Sequence, residues 1–308
     1  MTTRVYTHDD FAGHVTPPGH PEQVARLDAV ARALAGLAVD WHEAPLAPDA
    51  EVLRCHPAAY LAKLRRAVPA SGWVPVDGDT ILSPGSLDAA LRAVGGITAA
   101  TDAIMAGHAT TAFIAARPPG HHAETATAMG FCLFGTVAIA AKRLLTHHGL
   151  SRVAIVDFDV HHGNGTQDLV WDDPRILFAS SHEMPLFPGT GAPDERGAHG
   201  QIVNVPLRSG SGSTQMRAAY DQHILPAVDA FAPEVLLISA GFDAHAADPL
   251  ASLNWHTTDY SWLTRRLCDI ADRHCQGRVI STLEGGYDLS ALQASVAAHV
   301  GVLKERSR

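Results

Sequence analysis

The sequence predicts an α/β fold in which a mainly parallel sheet carries helices on both faces, and two observations favour this class. From about residue 110 onward, short aliphatic or β-branched runs alternate with longer alanine-rich stretches, the order typical of strand–helix–strand units. The short runs have the length and composition of buried strands. No composition shift or linker divides the 308 residues, so we expect a single domain over residues 1–308.

The elements follow from these runs in chain order. The predicted strands cover residues 111–115, 153–156, 176–179, 202–205, 235–239 and 279–282. The predicted helices between most of them cover residues 132–148, 213–231, 257–274 and 289–300. The first 110 residues look more helical, with helices expected over 25–37 and 86–105. Ser86 is the expected N-cap of the second of these.

The chain is long enough and apolar enough to bury a large hydrophobic core. With 46% hydrophobic and 18% charged residues, disorder is excluded as the main state. A net charge of −9 does not provide the basic face that nucleic-acid binding requires, so we expect no nucleic-acid partner. The chain has neither a run of roughly 20 apolar residues for a membrane span nor a secretory-signal pattern. We therefore predict a cytoplasmic protein without membrane contact, and we leave a homo-oligomer open.

The chain has 19 histidines but only 4 cysteines. The cysteines form neither a CxxC pair nor a zinc-knuckle spacing, so we expect buried, reduced thiols. The histidines point to metal or acid–base chemistry, and their positions in the chain indicate which of them take part.

Reactive side chains follow four of the predicted strands, at the point where each strand ends. Because ligands bind at the carboxyl ends of parallel strands, this placement predicts one convergent site rather than four unrelated loops. The residues concerned, in chain order, are His121, His122, Asp157, Asp159, His161, Asn164, Asp243 and Tyr287.

Three of these side chains suggest a metal site. Asp159 and His161 are two residues apart, so in an extended segment both point to one face, and Asp243 from another strand end can complete the set. Three protein ligands with an open fourth position are the arrangement of catalytic zinc. Two carboxylates and one imidazole also suit Fe²⁺ or Co²⁺, so the identity of the metal stays open. In the alternative interpretation, Asp159 and His161 are loop caps and Asp243 is a turn residue.

The paired histidines suit the proton transfers of hydrolysis. A base must take a proton from water and an acid must protonate the leaving amine, and imidazole suits both tasks near neutral pH. His121 and His122 cannot both face the same way. Asp157 and Asn164 are available to hold their second ring nitrogens, although a purely structural capping role is the alternative.

A tyrosine follows the last predicted strand. Tyr287 comes directly after Gly285 and Gly286, a flexible pair that would let the phenol move toward the metal. Its hydroxyl can donate a hydrogen bond to a developing oxyanion. An ordinary core or loop tyrosine is the alternative.

Seven longer motifs stand in order along nearly the whole chain. They are HPEQVARL (20–27), RPPGHHAE (117–124), GFCLF (130–134), VDFDVHHGNGTQ (156–167), FPGTG (187–191), SAGFDAHAADPL (239–250) and LEGGYDL (283–289). Together they resemble the histone deacetylase superfamily, closest to its class II and bacterial amidohydrolase branch. The resemblance implies an arginase-like α/β fold with a central eight-stranded parallel sheet, and hydrolysis of an amide-linked acetyl group with one divalent metal.

The resemblance implies a catalytic role for each matching residue. The implied zinc ligands are Asp159, His161 and Asp243. The implied tandem catalytic histidines are His121, paired with Asp157, and His122, paired with Asn164 and acting as general base and acid. Tyr287 is implied to polarise the substrate carbonyl.

The resemblance also implies the residues that surround the reaction. The implied substrate-binding residues are Gly130, Phe131, Phe187, Leu250 and Gly286, with Asp79 at the rim. Arg26 is implied to line an acetate pocket below the metal. The implied structural potassium site comprises the main chain of Asp157, Asp159 and His161, the Asp157 carboxylate, Ser180 and Ser181.

Two positions depart from the family pattern. Gly135 stands where many relatives have asparagine, and the sequence offers no account of it. Leu250 stands where relatives that prefer acetylpolyamines can have an acidic residue, and leucine favours acetyl-lysine or a neutral amide. The net charge of −9 weakly favours a cationic substrate such as an acetylpolyamine, because it can steer cations toward the protein.

The predicted function is therefore a zinc-dependent deacetylase that hydrolyses N-acetyl-lysine-type substrates to amine and acetate. An acetylpolyamine amidohydrolase, or a hydrolase of another small N-acyl amide, is the alternative within the same chemistry. Arginase-type hydrolysis would need further acidic ligands where Gly163 and Asn164 stand, and a non-catalytic acyl-lysine binder would not need the complete set of reactive residues.

Overall fold

A computed structural model describes residues 2–307, and its centre is an eight-stranded, wholly parallel sheet. The sheet has the order β2-β1-β5-β10-β9-β6-β7-β8, and β3 and β4 form a separate antiparallel hairpin. The strands are β1 (Arg4–Thr7), β2 (Asp40–Glu43), β3 (Val74–Pro75), β4 (Ile81–Leu82), β5 (Thr111–Ile114), β6 (Val153–Asp157), β7 (Ile176–Glu183), β8 (Ile202–Leu207), β9 (Val235–Ala240) and β10 (Val279–Leu283).

Helices cover both faces of this sheet. A 3₁₀ turn (Asp9–Gly13) precedes them, and a π turn (Tyr220–Ile224) joins two of them. None of the helices within residues 2–307 combines the length and apolar character that crossing a bilayer requires. The helices are α1 (Ala25–Leu34), α2 (Asp49–Val52), α3 (Ala58–Ala67), α4 (Ser86–Met105), α5 (Thr136–Thr146), α6 (Asn164–Val170), α7 (Ser213–Ala219), α8 (Leu225–Phe231), α9 (Thr257–His274) and α10 (Leu289–Arg306).

Two hydrophobic layers hold the helices to the sheet. Successive side chains of a strand point to opposite faces, so each central strand supplies both layers. In β6, for example, Ala154 and Val156 pack in the layer of α1, α9 and α10, whereas Val153 and Ile155 pack in the layer of α3, α4 and α5. Burial on both faces explains why the central strands are apolar throughout, and the predicted α/β class and parallel sheet are confirmed.

Residues 2–110 contain four strands that the sequence prediction missed, of which β3 and β4 form the separate hairpin. β1 and β2 extend the sheet at one edge, where the prediction expected mainly helix. Each of these two strands has four residues, and β2 is an edge strand whose side chains are largely exposed. A short exposed strand has no apolar run to distinguish it from a loop.

Several helix boundaries also differ from the prediction. α1 ends at Leu34 rather than at 37, and α10 continues to Arg306 rather than ending at 300. The predicted helix over 132–148 begins only at Thr136, and the helix over 213–231 is interrupted by the π turn. The N-cap of α4 is Gly85 rather than Ser86, which is the first helical residue. The Ser86 hydroxyl instead accepts from the backbone N–H of Ser83 at 2.7 Å and lies 2.7 Å from His14 Nδ1.

Gly135 closes the loop before α5 at a point without room for a side chain. A Cβ at this position would lie 2.3 Å from Leu169 Cδ1. Its backbone N–H donates to His56 Nε2 at 2.9 Å. The glycine that the sequence left unexplained therefore lets α6 approach this loop.

The sheet order brings the predicted reactive segments together. The strands β5, β10, β9 and β6 are consecutive neighbours at its centre, and all run in the same direction. Their carboxyl ends therefore open at one edge, and the four loops that leave them surround one position.

A buried ion network ties the amino-terminal segment to this edge. Glu22 is fully buried and accepts from Arg117 Nε and Nη2 at 2.6 Å each, and from Arg26 Nη1 at 3.1 Å. His14 Nε2 lies 3.3 Å from the same carboxylate. Burial alone would raise the pKa of Glu22, but Arg117, His14 and Arg26 together hold it well below the usual range.

We expect Arg117→Ala to lower the free energy of unfolding by about 3–5 kcal/mol, because it leaves Glu22 buried without its bidentate partner. Arg65→Ala is the matched control, since it removes an exposed ion pair with Asp49 and should leave the free energy of unfolding nearly unchanged. Urea denaturation of both variants measures the difference. Equal losses in the two variants would contradict the importance of the buried network.

Candidate active site

Three potential metal ligands converge where β6 and β9 end. Asp159 and His161 lie in the turn after β6, and Asp243 lies in the loop after β9. One ligand atom from each lies within 4.8 Å of the others, and all three residues are buried. The structure therefore brings together the three ligands that the sequence predicted from two separate strand ends.

The imidazole of His161 lies between the two carboxylates. Its Nδ1 is 3.2 Å from Asp159 Oδ1 and 3.1 Å from Asp243 Oδ2. Burial alone would lower the pKa of His161, but these two carboxylates raise it to about 10. Burial and the charge of Asp159 raise the pKa of Asp243 to about 7. The centre of the triad thus favours positive charge.

The donor set fits a divalent cation. Within residues 2–307, neither Asp159 nor Asp243 has a lysine or arginine nitrogen within 4.0 Å; histidine is their only basic partner. Two buried carboxylates without such a partner repel each other, and a cation bound between them removes that repulsion. Backbone N–H groups of Val160 and Gly285 hold the remaining oxygens at 2.9 and 2.8 Å. The carboxylates are thus oriented as fixed ligands.

The tandem histidines lie beside the triad with different partners. His121 Nδ1 is 3.0 Å from Asp157 Oδ2, and His122 Nδ1 is 2.8 Å from Asn164 Oδ1. Asn164 Nδ2 donates to Glu124 Oε1 at 2.8 Å, which fixes the orientation of its amide. Asn164 Oδ1 must then accept from His122 Nδ1–H, and this leaves His122 Nε2 with a free lone pair.

The charges around the two imidazoles push their pKa values apart. Burial alone would lower the pKa of His121, but the carboxylates of Asp159 and Asp157 raise it well above its usual range. Burial, together with the neighbouring imidazoles of His121 and His161, lowers the pKa of His122 well below its usual range. A neutral His122 beside a charged His121 is the arrangement expected of a base and its electrostatic partner.

A buried glutamate that the sequence prediction left without a role holds the histidine loop. Glu284 Oε2 accepts from the backbone N–H groups of Gly120 at 2.6 Å and His121 at 3.2 Å. Its Oε1 has no hydrogen-bond partner within residues 2–307, and burial raises its pKa to about 7. Glu284 follows β10 directly, so its place after a strand was the available signal.

The loop that carries Tyr287 makes a backbone hydrogen bond at each of three successive residues. Gly285 N–H donates to Asp159 Oδ2 at 2.8 Å, and the Gly286 carbonyl accepts from Arg26 Nε at 2.8 Å. Tyr287 N–H donates to Asp248 Oδ2 at 2.7 Å. Both residues of the glycine pair thus have a partner, and Gly286 has a φ of +120°, a conformation that favours glycine.

A cleft of about 430 Å³ leads from the surface to these groups. The predicted substrate-binding residues Asp79, Gly130, Phe131, Phe187 and Leu250 lie on its wall, whereas Gly286 and Arg26 are not among the lining residues. The sequence prediction missed several lining residues. They are His20, Pro21, Gly78, Ile81 and Leu186.

The wall of the cleft is mostly apolar and tightly fitted near the histidines. Phe187 lies edge-on to His122 with ring centroids 5.1 Å apart and remains 38% exposed. Phe131 lies edge-on to Tyr287 at 5.8 Å. Gly130 has a φ of +54°, and a Cβ there would lie 2.3 Å from His122 Cδ2. Glycine is therefore required where the wall passes the imidazole.

The remaining predicted residues lie behind the site. Arg26 is fully buried, with Nη2 donating to the Glu284 carbonyl at 2.5 Å and its guanidinium 5.1 Å from the Tyr287 ring. Ser180 pairs in register with Asp157 across β6 and β7, and Ser181 follows it. All four cysteines are buried and free, which confirms that expectation.

The chain is similar to known proteins over most of its length. A family model described as the histone deacetylase domain matches residues 20–303. The chain is similar to a probable deacetylase of Archaeoglobus fulgidus, at 38% identity over 94% of this chain and 82% of that protein. It is also similar to a histone deacetylase-like amidohydrolase of Pseudomonas aeruginosa, at 38% identity over 90% of this chain and 73% of that protein.

A solved structure has the same fold. The crystal structure of the HDA15 HD domain superposes with a TM-score of 0.93 at 33% identity, covering 99% of this chain and 90% of that one. The resemblance predicted from the motifs is therefore confirmed. A match of this extent in sequence and in structure shows that the chain belongs to the histone deacetylase family, whose members are hydrolases of the deacetylase and amidohydrolase type.

Proposed function

We propose that this chain is a zinc-dependent deacetylase that hydrolyses the amide of N-acetyl-lysine-type substrates to a free amine and acetate. The observation that carries the proposal is the meeting of three potential metal ligands, two histidines of different pKa and one tyrosine around a narrow apolar cleft. A linear acyl-lysine side chain matches the shape and polarity of that cleft.

Asp159, His161 and Asp243 are the residues that would hold the metal. When bound, a divalent cation there acts as a Lewis acid toward the acyl oxygen and makes water more acidic. Zinc suits three protein ligands with an open position, and Fe²⁺ or Co²⁺ suit the same donors. A structural potassium ion at Asp157, Asp159, His161, Ser180 and Ser181 is part of the proposal.

The protein side chains carry the proton transfers. His122 Nε2, free because Asn164 occupies Nδ1, takes a proton from the attacking water. Tyr287 donates a hydrogen bond to the oxyanion that forms at the acyl carbon. His121, held charged by Asp157, stabilises that negative charge, and protonated His122 then delivers its proton to the departing amine.

The cleft wall favours a neutral substrate chain over a cationic polyamine. Leu250 lines the entrance without a charge, and Ile81, Phe131 and Phe187 add apolar surface. Asp79 also lines the cleft, and its carboxylate would attract a cationic polyamine. The same carboxylate would equally accept a hydrogen bond from the backbone N–H of a peptide substrate. Acetylpolyamine hydrolysis is therefore the second candidate.

A separate part of the proposal concerns the product. Arg26, which lies behind the site, is proposed to contact the released acetate.

The first test is hydrolysis itself. The zinc-loaded chain is expected to release acetate from an acetyl-lysine peptide, whereas Asp159→Asn and His161→Ala should abolish the reaction and lower the bound metal. Acetate release and metal content by mass spectrometry measure both effects. Asp172→Asn, which removes one exposed charge, is the control and should behave as wild type. Two catalytic metals per chain with guanidine hydrolysis would instead indicate an arginase-type enzyme.

The second test concerns the oxyanion donor. We expect Tyr287→Phe to lower kcat about 10²-fold with little change in KM, because the lost hydrogen bond forms only as negative charge develops. Steady-state kinetics with the same peptide measure the split. A variant with a near wild-type kcat would remove Tyr287 from the reaction.

The third test concerns substrate class. Leu250→Glu is expected to raise the kcat/KM ratio of acetylspermidine to acetyl-lysine peptide about tenfold, because a carboxylate at the entrance attracts the cationic chain. Leu250→Gln has nearly the same volume without the charge and should leave that ratio within about twofold. If wild type already prefers acetylspermidine to every peptide, the argument from Leu250 fails.

A further inference from the structure

One carboxylate joins two loops of the candidate active site. Asp248 lies in the loop after β9 and is only 8% exposed. Its Oδ2 accepts from Tyr287 N–H at 2.7 Å, and its Oδ1 accepts from Leu250 N–H at 3.0 Å. Asp288 N–H approaches Oδ2 more distantly, at 3.4 Å. Both oxygens are thus used by backbone donors from the segments that carry the oxyanion donor and the cleft entrance.

The position of the Tyr287 phenol depends on these backbone contacts. Within residues 2–307, no hydrogen bond to a protein atom holds its hydroxyl, so the ring is aimed by its own backbone and by packing against Phe131 and Arg26. Arg26 and Asp159 hold the two preceding glycines. Asp248 is the side chain that holds the backbone N–H of Tyr287 itself.

We propose that Asp248 is a positioning residue that sets Tyr287 and Leu250 from one carboxylate. The side chain that donates to the oxyanion and the side chain at the cleft entrance then occupy mutually fixed places. The inference rests on the proposed function, because the phenol matters only if an oxyanion forms. Asp248 makes no hydrogen bond to the metal ligands and does not line the cleft, but its charge also raises the pKa of Asp243. The metal content of each variant therefore separates this electrostatic effect from the positioning of Tyr287 and Leu250.

Asp248→Asn is the sharpest variant. Asparagine has nearly the same shape, but one of its two positions becomes an N–H₂ donor that faces a backbone N–H donor. One of the two backbone contacts is therefore lost, whichever way the amide turns. We expect kcat to fall about tenfold, because the free-energy cost of one unsatisfied buried donor is of the size that changes a rate about tenfold.

A double-mutant cycle separates positioning from a general structural role. If Asp248 acts through the phenol, Asp248→Asn should lower kcat about tenfold in the wild-type background and less than about twofold in the Tyr287→Phe background. Metal content and thermal stability are measured on every variant, and Asp172→Asn is the control for loss of one charge. Should Asp248→Asn not fold, Asp248→Ser keeps one hydroxyl acceptor in a smaller volume and takes its place in the cycle.

Hydrogen exchange provides a readout that does not need activity. In Asp248→Asn, the peptide that contains the amide left without its acceptor, either that of Leu250 or that of Tyr287, should exchange faster than in wild type, with the peptides around Asp159 and His161 unchanged. Unchanged exchange at both amides, an unchanged kcat, or an equal loss in both backgrounds of the cycle would each overturn the proposal. A wild-type chain that hydrolyses no acylated substrate contradicts the proposed function instead, and exchange then still decides whether Asp248 holds the two loops.

Discussion

Repulsion between buried carboxylates is the constraint on which the centre of this structure depends. Asp157, Asp159 and Asp243 lie together at the carboxyl ends of two neighbouring strands, away from water. Such a group of like charges is stable only when each oxygen has a donor or a cation nearby. The fold supplies them with the imidazoles of His121 and His161 and with backbone N–H groups of the loops after β6 and β10. The polar network and the predicted metal chemistry are thus two aspects of one arrangement.

The same constraint explains why the site is built from loops of four adjacent strands. A parallel sheet places all its carboxyl ends at one edge, where backbone N–H groups of the following turns are free to donate. Glu284, which follows β10, adds a further link of this kind. Its side chain accepts from backbone N–H groups of the loop after β5. The loops therefore hold one another, and the predicted reactive residues are positioned by contacts between segments far apart in the chain.

Much of this arrangement was predictable from the sequence, for identifiable physical reasons. The central strands are apolar because both faces are covered, so their runs stand out, and the reactive residues directly follow them. The spacing of Asp159 and His161 placed both on one face without reference to tertiary structure. By contrast, β2 has four exposed residues and no pattern, and it became a strand only through pairing with β1. The roles of Glu284 and Asp248 depend on backbone donors that exist only once the loops meet.

The glycine pair before Tyr287 has a consequence for how this protein can change. Each of the residues 284–287 is held through its backbone: Arg26 holds the carbonyls of Glu284 and Gly286, and Asp159 and Asp248 accept from the N–H groups of Gly285 and Tyr287. An insertion or deletion there would misplace several contacts at once, so the length of this segment is effectively fixed. The β3–β4 hairpin and the loop of Phe187 contribute only wall to the cleft. Substitutions intended to change the proposed substrate preference are therefore better placed in the wall of the cleft than in residues 284–287.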